Sequence, residues 1–395
     1  MDSGFIKPRY DAGGFVHLPA RLQQHPPSGS DLHVVLLVDG FGWRFFEKFQ
    51  DAPFLRQVLR EGSAAQLTSQ FPSTTAAHVT TLHTGLPVGA HGIYEWFYYE
   101  PEVDAVIAPL LFSFAGAFQR ETLRAAGVNP ARVFPESRLY RRLREAGVNV
   151  TVLQNREYTP STYSNAMMGG ATMVGFRSLA EALGNLQDWI AHAVPPAYLV
   201  FYFDRIDAIC HEHGPEAPQT EAEILSFLRA LEGSFRKPRA ARRPRVRFTL
   251  TADHGLTATD PQRTLYLNRD PAFAGVARFL QTNRKGERIV PTGAARDFFL
   301  HIEETLLDEA HAFLAPRLEG RAEVRRVAEL MDDGYFGPVI SQAFRARVGN
   351  LVILPHGGES VWWYEKDRFE MRFRGNHGGL TPDEMQIPLL TWETG

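Results

Sequence analysis

The chain has a single cysteine, Cys210, among 395 residues. That excludes an intramolecular disulfide framework and fits a reducing compartment, so the expected location is cytoplasmic. No stretch reaches the roughly 18 consecutive apolar residues that a membrane span needs. The opening residues also lack the continuous apolar segment of a secretory leader, so no membrane partner is expected. An excess of one charge is missing too: 42 Lys and Arg stand against 45 Asp and Glu, for a net charge of −3. Nucleic acid is therefore not an expected partner. Fixed-period repeats and low-complexity tracts are absent, which excludes a solenoid and extended disorder. One local excess remains, the basic run 236–247 (RKPRAARRPRVR). It reads as a solvated loop, with a polyanion-binding patch as the alternative.

What is present is an ordinary globular composition, 44% hydrophobic and 22% charged, in a chain longer than one ordinary core fills. Short β-rich runs alternate with helical ones, the pattern of an α/β protein whose sheet carries helices on both faces. Residues 33–38 (HVVLLV) read as a buried strand ending at Asp39-Gly40. Central strands are expected at 148–154 and 197–203 after helices at 137–146 and 179–193, and another at 246–252 runs straight into Asp253-His254-Gly255. Ligands of open α/β sheets gather beyond the carboxyl ends of such strands. From about 273 to 363 the texture changes to strands at 296–302, 322–327 and 350–354 with a helix at 303–317, a small α+β insert. Residues 1–272 and 364–395 then form the core, and the insert is placed as a cap.

The residues able to carry chemistry fall in separated clusters: Asp39; Ser73-Thr74-Thr75; Asp207 with His211; Asp253-His254; and His377. All offer oxygen or imidazole donors and no thiolate competes, a donor set suited to Zn²⁺ or Mn²⁺. Asp207 and His211, four apart, share a face if the segment is helical. Singly, each cluster has a plainer reading. Asp-Gly after a strand is usually a turn, a threonine before 76–82 is usually a helix cap, and Asp-His or a Gly-flanked His fits a surface loop. Their conjunction is what favours a site. Glu212 and His213, like Cys210, read as bystanders within their motif.

Together the motifs Val38-Asp39-Gly40, Phe71-Pro72-Ser73-Thr74-Thr75 with Thr84-Gly85, His91-Gly92-Ile93, Asp207-x3-His211-x2-Gly214-Pro215, Asp253-His254-Gly255 and Gly375-Asn376-His377-Gly378 give a clear likeness. The chain resembles the alkaline phosphatase superfamily, in its type I phosphodiesterase/nucleotide pyrophosphatase branch. The resemblance implies an alkaline-phosphatase-like, mostly parallel central sheet and a two-metal hydrolase of phosphodiester or pyrophosphate bonds. It implies two divalent ions, Zn²⁺ first and Mn²⁺ as the alternative. Asp207, His211 and His377 would hold one; Asp39, Asp253 and His254 would hold the other, which also contacts the Thr75 oxygen. A cation at that oxygen lets the hydroxyl ionise near neutral pH, and a helix starting at Thr75 would favour a phosphoryl group. The family pattern puts Thr75 at the nucleophile position, forming a covalent phospho-Thr75, with Thr74 next. It also places His78 where an asparagine commonly holds a phosphate oxygen; His78 either donates there in the same way or packs within the fold.

The implied partner is a small phosphodiester or nucleotide. A phosphomonoesterase or phosphonate hydrolase built on the same metal core is the second reading, and a nucleotide-binding sensor without turnover the third. Residues 94–99 (YEWFYY) could wall a substrate pocket or form a packing seam. Residues 158–171 could be a substrate loop or a connector.

Overall fold

The computed structural model describes residues 4–24, 31–117, 119–235 and 245–394. Most of the basic run, residues 236–244, lies outside the described residues. Its remaining arginines, Arg245 and Arg247, both pair with Glu393.

A seven-stranded sheet organises the chain. Its strands are β1 (Leu32–Val38), β2 (Gly62–Thr68), β3 (Asn149–Asn155), β4 (Thr172–Phe176), β5 (Ala197–Phe203), β6 (Val246–Thr251) and β7 (Gln386–Thr394). Across the sheet the order is β2-β7-β6-β1-β5-β3-β4. The block β6-β1-β5-β3-β4 is parallel throughout, and β7 runs antiparallel to both β6 and β2. Strand β5 (AYLVFYF) is buried at every position, as a parallel strand covered on both faces must be. Over the neighbouring β3 and β4, helix Leu179–His192 supplies part of such cover. Ser178 caps it by accepting from the Glu181 N–H, and Ala182, Leu183, Leu186 and Ile190 form its buried stripe.

Register, more than strand count, decides where the connecting segments emerge. β1 pairs with β5 from Leu32↔Ala197 to Val38↔Phe203, and with β6 from Leu32↔Val246 to Leu37↔Thr251. Strands that start level end level, so the residues after Val38, Phe203 and Thr251 leave the sheet along one edge. The reversed β7 has its entrance, not its exit, on that edge: Gln386 lies opposite Thr68 at the end of β2. The segment before β7 and the segment after β2 therefore reach the same edge.

Between residues 292 and 355 lies a second, antiparallel sheet in the order Thr292–Ala294, Asp297–Leu300, Leu351–Pro355, Ala322–Arg326. The expected insert helix begins later than residue 303, at Leu307, because a 3-10 turn over Glu304–Leu306 precedes it. Adjacent residues of this sheet face opposite ways. Phe298 and Ile353 pack with Leu314 and Leu318 in a separate small core, whereas Phe299 and Val352 join the main one. No described helix is long and apolar enough to cross a membrane.

A buried ion pair ties this sheet to the final segment. The Arg296 guanidinium forks onto Glu384 at 3.0 and 2.9 Å, and both side chains are fully enclosed. Glu384 also accepts from the Gly379 N–H at 3.0 Å and the Thr381 hydroxyl at 2.6 Å. Removing one partner strands the other charge in the interior. Arg296→Met should cost about 3–5 kcal/mol of stability, read as a lowered urea midpoint; an unchanged midpoint would show that the tie carries no load.

Candidate functional site

Each expected residue reaches the common edge by a separate route. Asp39 follows β1, its N–H donating to the Phe203 carbonyl, and Gly40 turns the chain at φ 71°. Asp253 follows β6 by two residues. Asp207 and His211 lie on helix Arg205–His213, which starts two residues after β5. His377 sits on the segment leading back to β7. Thr75 is the first residue of helix Thr75–Thr84, seven residues after β2.

The donors gather in two overlapping groups. Asp39, Asp253 and His254 offer ligand atoms within 4.8 Å of one another, and so do Asp207, His254 and His377. His211 approaches through Asp207, its Nε2 3.2 Å from Oδ2. His254 thus stands between the groups, its ring stacked on His377 with centroids 3.7 Å apart. The Thr75 hydroxyl lies 3.2 Å from His254 Nε2 and 3.5 Å from both Asp39 oxygens. The neighbouring Thr74 hydroxyl turns instead toward Glu95.

Hydrogen bonding fixes which imidazole nitrogen is free. Nδ1 of His254 faces the Gly255 carbonyl at 3.0 Å, that of His211 the Gly375 carbonyl at 2.7 Å, and that of His377 the Ser73 carbonyl at 3.0 Å. A carbonyl only accepts, so each Nδ1 carries a proton; Nε2 of His254 and of His377 then presents a lone pair to the site, while that of His211 faces Asp207 Oδ2. This is the arrangement of imidazoles oriented for a cation. Burial pushes His254 down to about 4 and His377 down to about 3, so both lone pairs are available at neutral pH. For His211 burial acts in the same sense, but the adjoining Asp207 outweighs it and the net shift is upward.

The carboxylates show the opposite stress. Burial, followed by the charges of Asp253 and Asp207, holds the Asp39 carboxyl well above its usual range. Asp207 Oδ1 and Asp253 Oδ2 are enclosed without any hydrogen-bond partner. Orphaned carboxylate oxygens beside aimed imidazole lone pairs are what divalent cations would satisfy, and the oxygen and nitrogen donors fit Zn²⁺ or Mn²⁺.

His78 is placed elsewhere. It is fully buried, its Nδ1 is 2.7 Å from the Thr74 carbonyl, and its Nε2 accepts from the Gln70 N–H at 2.9 Å. Both ring nitrogens are engaged within the fold and the ring does not line the cavity. Its two nitrogens link the Gln70 backbone to the Thr74 backbone at the start of the Thr75 helix.

Above the donors opens a cavity of about 570 Å³. Asp39, Thr75, Asp207, His211 and His377 form its polar floor, and Trp96, Phe97, Tyr163 and Phe369 are among its aromatic walls. The 94–99 run divides: Tyr94 and Tyr98 stack on each other in the core, centroids 5.5 Å apart, while Trp96 and Phe97 face the cavity. Of the 158–171 segment, Tyr158, Ser161, Tyr163 and Met168 line it. Gly293, Ala294 and Trp362 bring residues of the 273–363 segment to the same cavity. Sequence reasoning missed Tyr202, whose hydroxyl donates a short hydrogen bond to Asp39 Oδ2, and Asp204, which accepts from the Tyr158 hydroxyl at 2.6 Å. Asp204 directly follows β5 as Asp39 follows β1, so the strand-end rule could have found it. Tyr202 lies two residues earlier, on the same side of the strand.

Comparison with known proteins shows the family and the fold. The profile of the type I phosphodiesterase / nucleotide pyrophosphatase family matches residues 33–380. Among solved structures, murine ectonucleotide pyrophosphatase/phosphodiesterase 5, an inactive threonine-to-alanine variant in complex with AMP, superposes with a TM-score of 0.66 at 18% identity. That match covers 90% of this chain and 86% of the murine one. The human counterpart gives 0.62 at 15% identity, covering 91% and 87%. Phosphonoacetate hydrolase from Sinorhizobium meliloti 1021, in complex with phosphonoformate, gives 0.60 at 16% identity, covering 91% and 89%. No curated protein sequence matches significantly.

The Tyr202 contact is open to direct test. Partners that orient ligating carboxylates typically contribute about 10–100-fold to metal affinity. Tyr202→Phe should weaken Zn²⁺ binding by that factor in competition with a chromophoric chelator, and unchanged affinity would remove Tyr202 from the site.

Proposed function

The chain belongs to the type I phosphodiesterase / nucleotide pyrophosphatase family, and from that premise we propose that it hydrolyses phosphodiester or pyrophosphate bonds of nucleotide-type small molecules through a covalent phospho-Thr75 intermediate. One observation carries the reading: the Thr75 hydroxyl opens a ten-residue helix while touching His254 and Asp39, where the two donor groups meet. The murine neighbour's inactive threonine-to-alanine form with AMP supports a threonine-dependent reaction on nucleotides.

The chain's own residues account for positioning. Asp39, Asp253 and His254 would hold one cation and Asp207, His211 and His377 the other. When bound, the two cations would lower the pKa of the Thr75 hydroxyl and neutralise the departing oxygen. Asp39 and His254 can accept the Thr75 hydroxyl proton, which leaves a lone pair of Oγ1 for phosphorus. Thr74 caps the helix in extended conformation without a side-chain cap bond, so the first N–H groups stay available for phosphoryl oxygens. In-line attack forms the Thr75–phosphorus bond as the ester oxygen leaves, and water then cleaves that bond to regenerate the hydroxyl. Residues 273–363 act as a cap that supplies one wall of the cavity. The single buried Cys210 supports a cytoplasmic setting.

A phosphomonoester or phosphonate substrate on the same floor is the second reading, supported by the fold shared with phosphonoacetate hydrolase. Thr75→Ala should abolish hydrolysis of bis(p-nitrophenyl) phosphate and eliminate a phosphothreonine adduct trapped by acid quench and read by mass spectrometry. Turnover that survives the substitution would reject the covalent mechanism. Faster turnover of monoester or phosphonate probes in parallel assays would select the second reading, and AMP binding without turnover of any probe would make the protein a sensor.

Metal dependence has its own sign. Asp207 favours the protonated form of His211, so cation binding there should release protons and weaken as pH falls. Isothermal titration of Zn²⁺ in two buffers of different ionisation enthalpy would measure the release; identical apparent enthalpies would contradict it.

A further inference from the structure

The helix that opens at Thr75 continues along the cavity. Thr75, Val79 and His83 recur every four residues, so they share one helix face, and all three line the cavity. At 1.5 Å per residue, His83 stands about 12 Å beyond Thr75 along the axis. Helix Thr162–Met167 packs against this stretch. From it the Tyr163 hydroxyl meets the Thr80 hydroxyl at 2.8 Å, and Met168, just past its end, meets the Gln154 amide. Val79, His83, Gln154, Tyr163 and Met168 therefore form one end of the cavity wall. Its two polar members with hydrogen-bonding capacity to spare, His83 and Gln154, are buried and belong to neither donor group.

On each of them one atom is engaged, which identifies the other. His83 Nδ1 lies 2.6 Å from the Tyr140 hydroxyl. Tyr140 is fully buried and its hydroxyl has no other partner among the described residues, so a proton on Nδ1 would leave the phenol O–H without an acceptor in the interior. The phenol therefore donates to Nδ1, and Nε2 carries the ring proton. That N–H has no partner and, unlike Nε2 of His301, is not enclosed by protein; it opens on the cavity that the ring lines. On Gln154 the amide nitrogen faces the Met168 sulfur at 3.7 Å. A thioether only accepts, so the amide oxygen is the atom left over, likewise unpartnered and not enclosed.

Burial pushes His83 down to about 3, and cations near Thr75 would favour the neutral ring further. These five side chains thus offer one N–H donor and one carbonyl acceptor among apolar groups, and no charge. A second phosphate or a carboxylate gains nothing there. A neutral ring that presents an acceptor beside an N–H is matched at both points. The separation from Thr75 is on the scale of one mononucleotide, measured from its phosphorus to the far edge of its base.

We propose that His83 and Gln154 form a specificity subsite for the neutral heterocyclic base of the substrate, His83 Nε2–H donating to a ring acceptor and Gln154 Oε1 accepting from a ring N–H, while the phosphoryl group lies at Thr75. The subsite deepens the nucleotide reading proposed above and rests on it for the chemistry at Thr75, but not for binding of the base. Discrimination between nucleotides and simple aryl diesters comes from the far end of the Thr75 helix.

Three p-nitrophenyl esters that release the same chromophore test this on the metal-loaded protein: that of thymidine 5′-monophosphate, its analogue methylated at the imide nitrogen, and bis(p-nitrophenyl) phosphate, which has no base. Wild type should lose roughly tenfold in kcat/KM on methylation, the effect of one neutral hydrogen bond lost and its partner left unpaired. Gln154→Leu should no longer distinguish the methylated ester from its parent. His83→Phe should lower the kcat/KM ratio of the thymidine ester to bis(p-nitrophenyl) phosphate by a similar factor. Equal rates of wild type on the two thymidine esters, or an unchanged ratio in His83→Phe, overturns the two-point subsite. If His83→Phe does not fold, the methylated ester decides with wild type and Gln154→Leu. Should wild type turn over none of the esters, the proposed function fails. Isothermal titration with thymidine 5′-monophosphate and its methylated form then decides the subsite separately: tenfold weaker binding on methylation upholds it, and equal binding overturns it.

Discussion

Strand β1 is paired along its length with β5 on one side and β6 on the other, in register, and that alignment delivers Asp39, Asp204 and Asp253 to one edge of the sheet. A slip of one residue in either pairing would turn the trailing side chains to the opposite face. Close packing opposes it, because β5 is buried at every position and β1 and β6 at most of theirs, so a slip would have to reseat side chains of different size on both faces. Precision at the site is therefore borrowed from hydrophobic packing along the strands.

The groups so assembled are uncomfortable together. Enclosure favours the neutral form of every acid and every base, and the floor of the cavity holds both. Histidines comply by losing protons, since His254 and His377 are pushed far below the usual imidazole range and their Nδ1 protons rest on backbone carbonyls. The carboxylates have less recourse. Tyr202 donates to Asp39, and two backbone N–H groups serve Asp253 Oδ1, yet an oxygen of Asp207 and one of Asp253 remain bare. Imidazoles crowded against under-served acids make a site that would gain from cations.

Much of this was legible in the sequence because the chemistry follows long apolar runs. The strands at β1, β3, β5 and β6 announce themselves, and Asp39 and Asp253 stand where such runs stop. β2 was invisible for a physical reason. Its residues GSAAQLT are small and mostly exposed, and it is a strand only because the antiparallel β7 lies beside it. The short edge strand β4 (TMVGF) went unread because it is only five residues long and directly follows a segment rich in Ser, Asn and Gly. His78 illustrates another limit: its place one turn along the Thr75 helix was readable, but the rotation carrying its ring to Gln70 rather than into the cavity depends on tertiary contacts. His83 and Gln154, far apart in the chain, have no local pattern at all and come to one cavity only through the fold.

The reversed β7 bears on the order in which the molecule is assembled. Strand β2, which leads into the Thr75 helix, has β7 as its only partner strand in the described central sheet, and His377 arrives on the segment just before β7. A nascent chain can pair β1, β3, β4, β5 and β6 as they emerge. Until β7 follows, it lacks both the strand that anchors the Thr75 helix and one imidazole of the site. Local contacts that form early thus build the scaffold, and the longest-range contact completes the chemistry. Without β7 in place the donor cluster stays incomplete, so scaffold and site do not form at the same step.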